Sequence, residues 1–132
     1  MITKEIENIA HAMMEAEGWK AAYIAGANAD TATASYKNHN PGNLRKSIFA
    51  LGERGGFAYF YNDATGFFAL QYDLMMKCLG KTSTELTPDS TLGQLLHVYT
   101  AAVGEELENY TQLVEARTGI SRAVKIGSLV AK

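Results

Sequence analysis

Stepping about 100° per residue from Ile6 places Ile6, Ala10, Met13 and Glu17 on one narrow helical stripe, so a carboxylic acid ends an otherwise apolar face. Two effects would act on it. Partial burial disfavours the charged form, and the negative end of the helix macrodipole disfavours it again. Both push the pKa upward, and a carboxylic acid that keeps its proton near neutral pH is what protonation of a glycosidic oxygen requires, because the sugar alcohol otherwise leaves poorly. The plain reading is a helix end that carries a solvated charge, as helix ends often do. Trp19, two residues on, suits either a sugar-stacking platform or an apolar lid over Glu17. The lid is favoured, because a ring against the carboxyl raises its pKa.

A second polar grouping is Asn38-His39-Asn40-Pro41-Gly42-Asn43-Leu44-Arg45. Proline presets one central residue of a turn and glycine permits positive φ at the next, so this segment reads as a turn whether or not it binds anything. No second carboxylate announces itself, although retaining and ordinary inverting glycosidases need two. Asp30 falls in a loop, and Asp63 ahead of Ala64-Thr65-Gly66 is explained as a helix N-cap or turn residue. Other chemistries recede. His11 and Glu15 stand at i and i+4 with no third metal ligand implied, so they read as a solvated helix face, and neither metal nor cofactor is expected. The lone Cys78 sits in an apolar helical run and reads as a buried thiol. Gly52-Glu53-Arg54-Gly55-Gly56 is too polar for a phosphate loop and reads as a hairpin tip.

The elements that position these residues follow from periodicity. Ile6, Ile9, Ala10, Met13 and Met14 predict a helix from Thr3 to about Glu17 with Gly18 as its stop. Residues from Trp19 to Arg45 read as a long irregular loop, a feature that is often functional. Gly56 to Tyr61 suits a short strand, pairing with something near Leu44 to Leu51. Phe67, Leu70, Leu74, Met75 and Cys78 predict a core helix from about Ala64 to Leu79, ended by Gly80. Thr91-Leu92-Gly93-Gln94 has the form of a capping box, and the apolar spacing continues through Tyr99 to Val103. A further helix is expected from Leu107 to Thr118 with Gly119 as its stop, and the tail from Ser121 can add a turn or two.

A chain of 132 residues that is 47% hydrophobic and 20% charged supports one core, so residues 1–132 are expected to form a single domain and a monomer. A net charge of -2 leaves no cationic excess for phosphates, which argues against nucleic acid. Charges occupy Lys4, Glu5 and Glu7 where a signal peptide needs its apolar stretch, and no window has the roughly 18 apolar residues of a membrane span.

Glu17-Gly18-Trp19, a polar loop with Ser35, and then Asn38 through Arg45 together resemble the lysozyme-like superfamily of peptidoglycan-cleaving proteins. The likeness is to phage and bacterial members in which a glutamate, a glycine and an aromatic residue precede an Asn-Asn-Pro-Gly-Asn-Leu/Ile-Arg loop. It continues weakly through Gly56 to Phe60, Ala64 to Leu70, Thr91 to Leu95, Tyr99, and Asn109 to Ile120. The resemblance implies an α+β, mainly α, lysozyme-like fold with a small β-hairpin. It implies Glu17 as catalytic acid, Ser35 as the serine bonded to that glutamate, and Asn40, Asn43 and Arg45 in the loop that lines a sugar-binding cleft. Tyr99 and Tyr110 are both candidates for the cleft tyrosine of a later helix, and His39 stands where the family more often has asparagine. With one glutamate in evidence, the implied activity is lytic transglycosylation between N-acetylmuramic acid and N-acetylglucosamine, or muramidase hydrolysis. The rival expectation is a non-catalytic glycan-binding or structural virion or secretion protein on the same fold. The partner would be peptidoglycan, reached as a phage lysis protein or virion component.

Overall fold

The computed structural model describes residues 2–18 and 37–130, which fall into two compact units. One unit comprises Met1–Ala12 with Tyr72–Lys132, the other Met13–Gln71. The chain is mainly helical with a small two-stranded antiparallel sheet.

Helix α1 runs over Lys4–Ala16. Its first turn is capped by Thr3, whose hydroxyl accepts the Ile6 N–H at 3.2 Å and donates to the Leu129 carbonyl. Ile6, Ile9, Ala10 and Met13 are all buried, so the apolar stripe does what its spacing implies. Gly18, at φ 77°, closes the helix by donating to the Glu15 carbonyl.

In the unit Met13–Gln71, strands β1 (Gly52–Arg54) and β2 (Phe57–Tyr59) pair with Gly52 opposite Tyr59 and Arg54 opposite Phe57. The two-residue tip is Gly55-Gly56, both at positive φ, as the tightest hairpin turn requires. The expected partner strand thus lies just after the Leu44–Leu51 window, yet both ends of that window bond to β2. Leu51 donates to Tyr59 at 2.9 Å on the β1 side, and Ala58 donates to Leu44 at 3.0 Å on the opposite edge. Phe60 donates to Asn38 on that same edge, so the loop 38–44 covers a strand edge that would otherwise present unpaired backbone.

Helix α2 spans Asp63–Cys78. Asp63 is its first residue rather than its cap: the Asn62 side chain accepts both the Thr65 N–H and the Thr65 hydroxyl at 2.8 Å. Gly66 is required by close packing, since a Cβ there would stand 1.8 Å from the His39 carbonyl oxygen. Cys78, 1% exposed, ends α2 with its thiol pushed up to about 12 by burial, which leaves no thiolate for nucleophilic chemistry at neutral pH.

In the unit holding Tyr72–Lys132, α3 covers Leu92–Thr100 and α4 covers Gly104–Thr118. The Thr91–Gln94 capping box forms in both directions. Helix α3 ends earlier than the apolar spacing suggested: Ala101 adopts φ 56°, Thr100 turns its hydroxyl back to the Leu96 carbonyl, and Val103 is 69% exposed. A short 3-10 turn at Ile126–Leu129 buries Ile126 and Leu129, and Thr91 bridges to Lys125.

Arg122 clasps α4. Its guanidinium donates to both oxygens of Glu108 at 2.8 and 2.7 Å and to Glu115 at 2.9 and 3.3 Å, while its backbone N–H reaches the second Glu115 oxygen. Hydrogen bonds from Arg122 hold the Glu115 carboxyl below the usual carboxylate value, and with Gln112 they lower Glu108 from 4.5 to about 2. Because these pKa values are depressed in the folded state, their stabilisation is complete above the unfolded value and drains as pH falls from about 4.5 to about 2. The melting temperatures of the parent and Arg122→Ala should therefore differ at pH 6 and converge as the pH of the melt approaches 2. A constant gap across that series would show that the clasp has no titrating contribution.

Candidate active site

Glu17 follows the last residue of α1 and is part-buried. Its backbone N–H still makes a helical bond to the Met13 carbonyl at 2.9 Å, so the residue is held in the helix's final turn. The negative end of the α1 dipole therefore lies beside it. Ser35 and Trp19, expected beside this carboxylate, and Asp30 lie outside the described residues.

The turn after it belongs to the same unit and is built around Asn40, which is 0% exposed. The Asn40 carboxamide donates to the Leu44 carbonyl at 2.8 Å and the Ala58 carbonyl at 2.9 Å, and accepts the Leu44 N–H at 2.9 Å. Both of its polar atoms are thus committed to stapling loop to hairpin. The residue shapes this surface from below instead of presenting an amide to a ligand. Asn43 closes the turn through its N–H to the Asn40 carbonyl, at φ 54°, and its Oδ1 is buried without a hydrogen-bond partner. A buried acceptor left unmatched costs about 1–3 kcal/mol.

Arg45 is exposed and lies over the Phe57 ring of β2, 4.7 Å from its centroid. Spacing gave no sign of two further contacts. His39, at φ 51°, points Nδ1 at Asp63 Oδ1 across 2.6 Å, a bond between residues 24 apart in sequence. A carboxylate only accepts, so Nδ1 carries the proton. Asp63 is therefore engaged at the start of α2. Arg54 lies 4.2 Å over the Tyr59 ring, which pairs it with the same strand that Arg45 covers.

Tyr99 and Tyr110 belong to the other unit, on α3 and α4. Tyr99 is half-buried with the Lys77 ammonium 5.5 Å from its ring centre, and Tyr110 is half-buried on α4. The same unit carries an open pocket of about 230 Å³ lined by Glu85, Leu86, Ser90, Gln94, His97 and Val98. It contains none of the residues expected to act, and it is smaller than the roughly 300–1,000 Å³ of common small-molecule sites. Among the described residues, no three His, Cys, Asp or Glu side chains converge so as to hold a metal ion, and no helix is long and apolar enough to cross a membrane. The chain matches no protein-family profile, no curated protein and no solved structure.

Proposed function

We propose that this chain is a lysozyme-like enzyme that cleaves the β-1,4 bond between N-acetylmuramic acid and N-acetylglucosamine in peptidoglycan by lytic transglycosylation. The observation that carries the reading is Glu17, a part-buried carboxyl closing an apolar helix face at the negative end of α1. It is supported by the Asn-Pro-Gly-Asn turn in the same unit, held rigid by Asn40. In this chemistry the Glu17 carboxyl donates its proton to the glycosidic oxygen as the bond to the muramoyl C1 breaks and an oxocarbenium-like centre develops. The resulting carboxylate then takes the proton of the muramoyl 6-hydroxyl, whose oxygen closes on C1. The acid is regenerated, and no water is consumed.

One glutamate suffices for both proton transfers. That economy accords with Asp63 being bonded to His39. Mass spectrometry of fragments released from purified walls tests the reaction type directly: anhydro ends are lighter by one water than hydrolysed reducing ends. Anhydro products are expected. Reducing ends would replace transglycosylation with muramidase hydrolysis, and absence of product at any pH, with glycan still bound, would leave the non-catalytic binding protein.

A further inference from the structure

The hairpin carries a feature that proton transfer at Glu17 does not use. Phe57 and Tyr59 alternate on one face of β2, the face opposite the buried Ala58, and each ring is covered by a guanidinium. The Tyr59 ring lies across Gly52, where a Cβ would stand 2.9 Å from it, so a side chain at Gly52 would displace the platform under Arg54. At the tip beyond, a Cβ at Gly55 would meet nothing within 4 Å, and one at Gly56 would stand 3.6 Å from the Arg45 guanidinium.

A guanidinium held over a ring by cation–π attraction keeps its N–H donors for other partners. Among the described residues, neither Arg45 nor Arg54 has a carboxylate within ion-pair distance. The surrounding segment is cationic in an anionic chain: residues 37–61 carry Lys37, Arg45, Lys46 and Arg54 against Glu53, while the net charge is -2. Two unpaired guanidinium forks over one short strand are suited to receive carboxylates bidentately. Residues two apart on a strand are separated by about 7 Å, which is also the spacing of alternate residues in an extended peptide.

We infer that this face of the hairpin docks the acidic peptide stems of peptidoglycan, with Arg45 and Arg54 gripping stem carboxylates. The inference rests on the peptidoglycan reading above for its partner. It assigns Arg54 a role that the sequence did not suggest, and it makes the preferred substrate a peptide-bearing glycan rather than a bare one.

The test is titration calorimetry of the full chain carrying Glu17→Gln, so that nothing is cut. The probes are soluble glycan oligomers with their tripeptide or tetrapeptide stems, and the same oligomers stripped by an amidase. The stem-bearing probe should bind more tightly, and the preference should shrink in high salt. Arg54→Gln should reduce the preference about threefold, and the double variant with Arg45→Gln about tenfold, since exposed charge-assisted contacts are individually modest. Arg54→Lys should restore only part, because an ammonium keeps the charge and loses the fork. Equal affinity of the parent for both probes, or a preference that survives the double variant, overturns the inference. The two readings fail separately. Anhydro product released equally fast from stripped and peptide-bearing glycan refutes stem docking alone, whereas stem-dependent binding by a wild-type chain that yields no product refutes catalysis alone.

Discussion

Glu17→Gln should fold as the parent does and release soluble fragments from purified walls at a rate lower by roughly 10²- to 10⁴-fold, the range a general acid contributes. Glutamine matches glutamate in shape and keeps the helix end intact, since the bonds that close α1 there are made by backbone groups of Met13, Glu15, Glu17 and Gly18. What it lacks is an acidic proton. Because one carboxyl is proposed to act first as acid and then as base, its removal takes away both transfers, and the Asp63 carboxylate is already bonded to His39. Turbidity loss of a wall suspension gives the rate, and circular dichroism with a melting curve confirms that the variant is folded. A folded Glu17→Gln protein that clears walls at the parental rate would end the assignment of Glu17.

Asn40→Ala should lower stability by about 2–6 kcal/mol, a fall in melting temperature of about 7–22 °C for a chain of this length. The side chain is 0% exposed and makes three bonds to backbone. Its loss leaves the Leu44 N–H and the Ala58 carbonyl without these partners, at about 1–3 kcal/mol for each buried group, while the Leu44 carbonyl keeps its bond from Ala58. Asn40→Asp separates this account from a simple cavity. A carboxylate would face two carbonyl oxygens where an amide had donated to both, so the variant should be less stable than Asn40→Ala at neutral pH. It should recover as pH falls, when a protonated carboxyl can donate one bond again. A melting temperature within about 2 °C of the parent for Asn40→Ala would show that water replaces the staple and that Asn40 does not organise the loop.

Much of the secondary structure was legible because its causes are local. The α1 stripe, the Thr91–Gln94 box and the glycine stops at Gly18, Gly80 and Gly119 each depend on side chains within a turn of one another, and all three glycines adopt the positive φ that ends a helix. Glu17 could be singled out for the same reason, since a carboxylate ending an apolar stripe is visible in spacing alone. Val103 was misplaced because periodicity does not register a turn: Ala101 takes a left-handed conformation and the Thr100 hydroxyl accepts the Ala102 N–H, so the helix stops before Val103. Asp63 likewise looked like a cap, although the neighbouring Asn62 makes the capping bonds.

By itself, then, the sequence determined which segments are helical, the glycines that stop three of them and which carboxylate stands oddly, while α3 ends short of Val103 and α4 begins at Gly104 ahead of the expected Leu107. Only the tertiary structure decided what the polar loop does. Asn40 read as a turn residue and is a buried staple between Leu44 and Ala58; His39 meets Asp63, and Arg122 gathers Glu108 and Glu115. Arg45 and Arg54, nine residues apart with Arg54 ending β1, come to lie over alternate rings of β2. Hydrogen bonds and ring contacts of this kind act over a few ångströms, whereas the residues that make them stand 24 positions apart in His39–Asp63 and 126 apart in Thr3–Leu129. Composition and periodicity carry no record of which distant groups folding will bring within that reach.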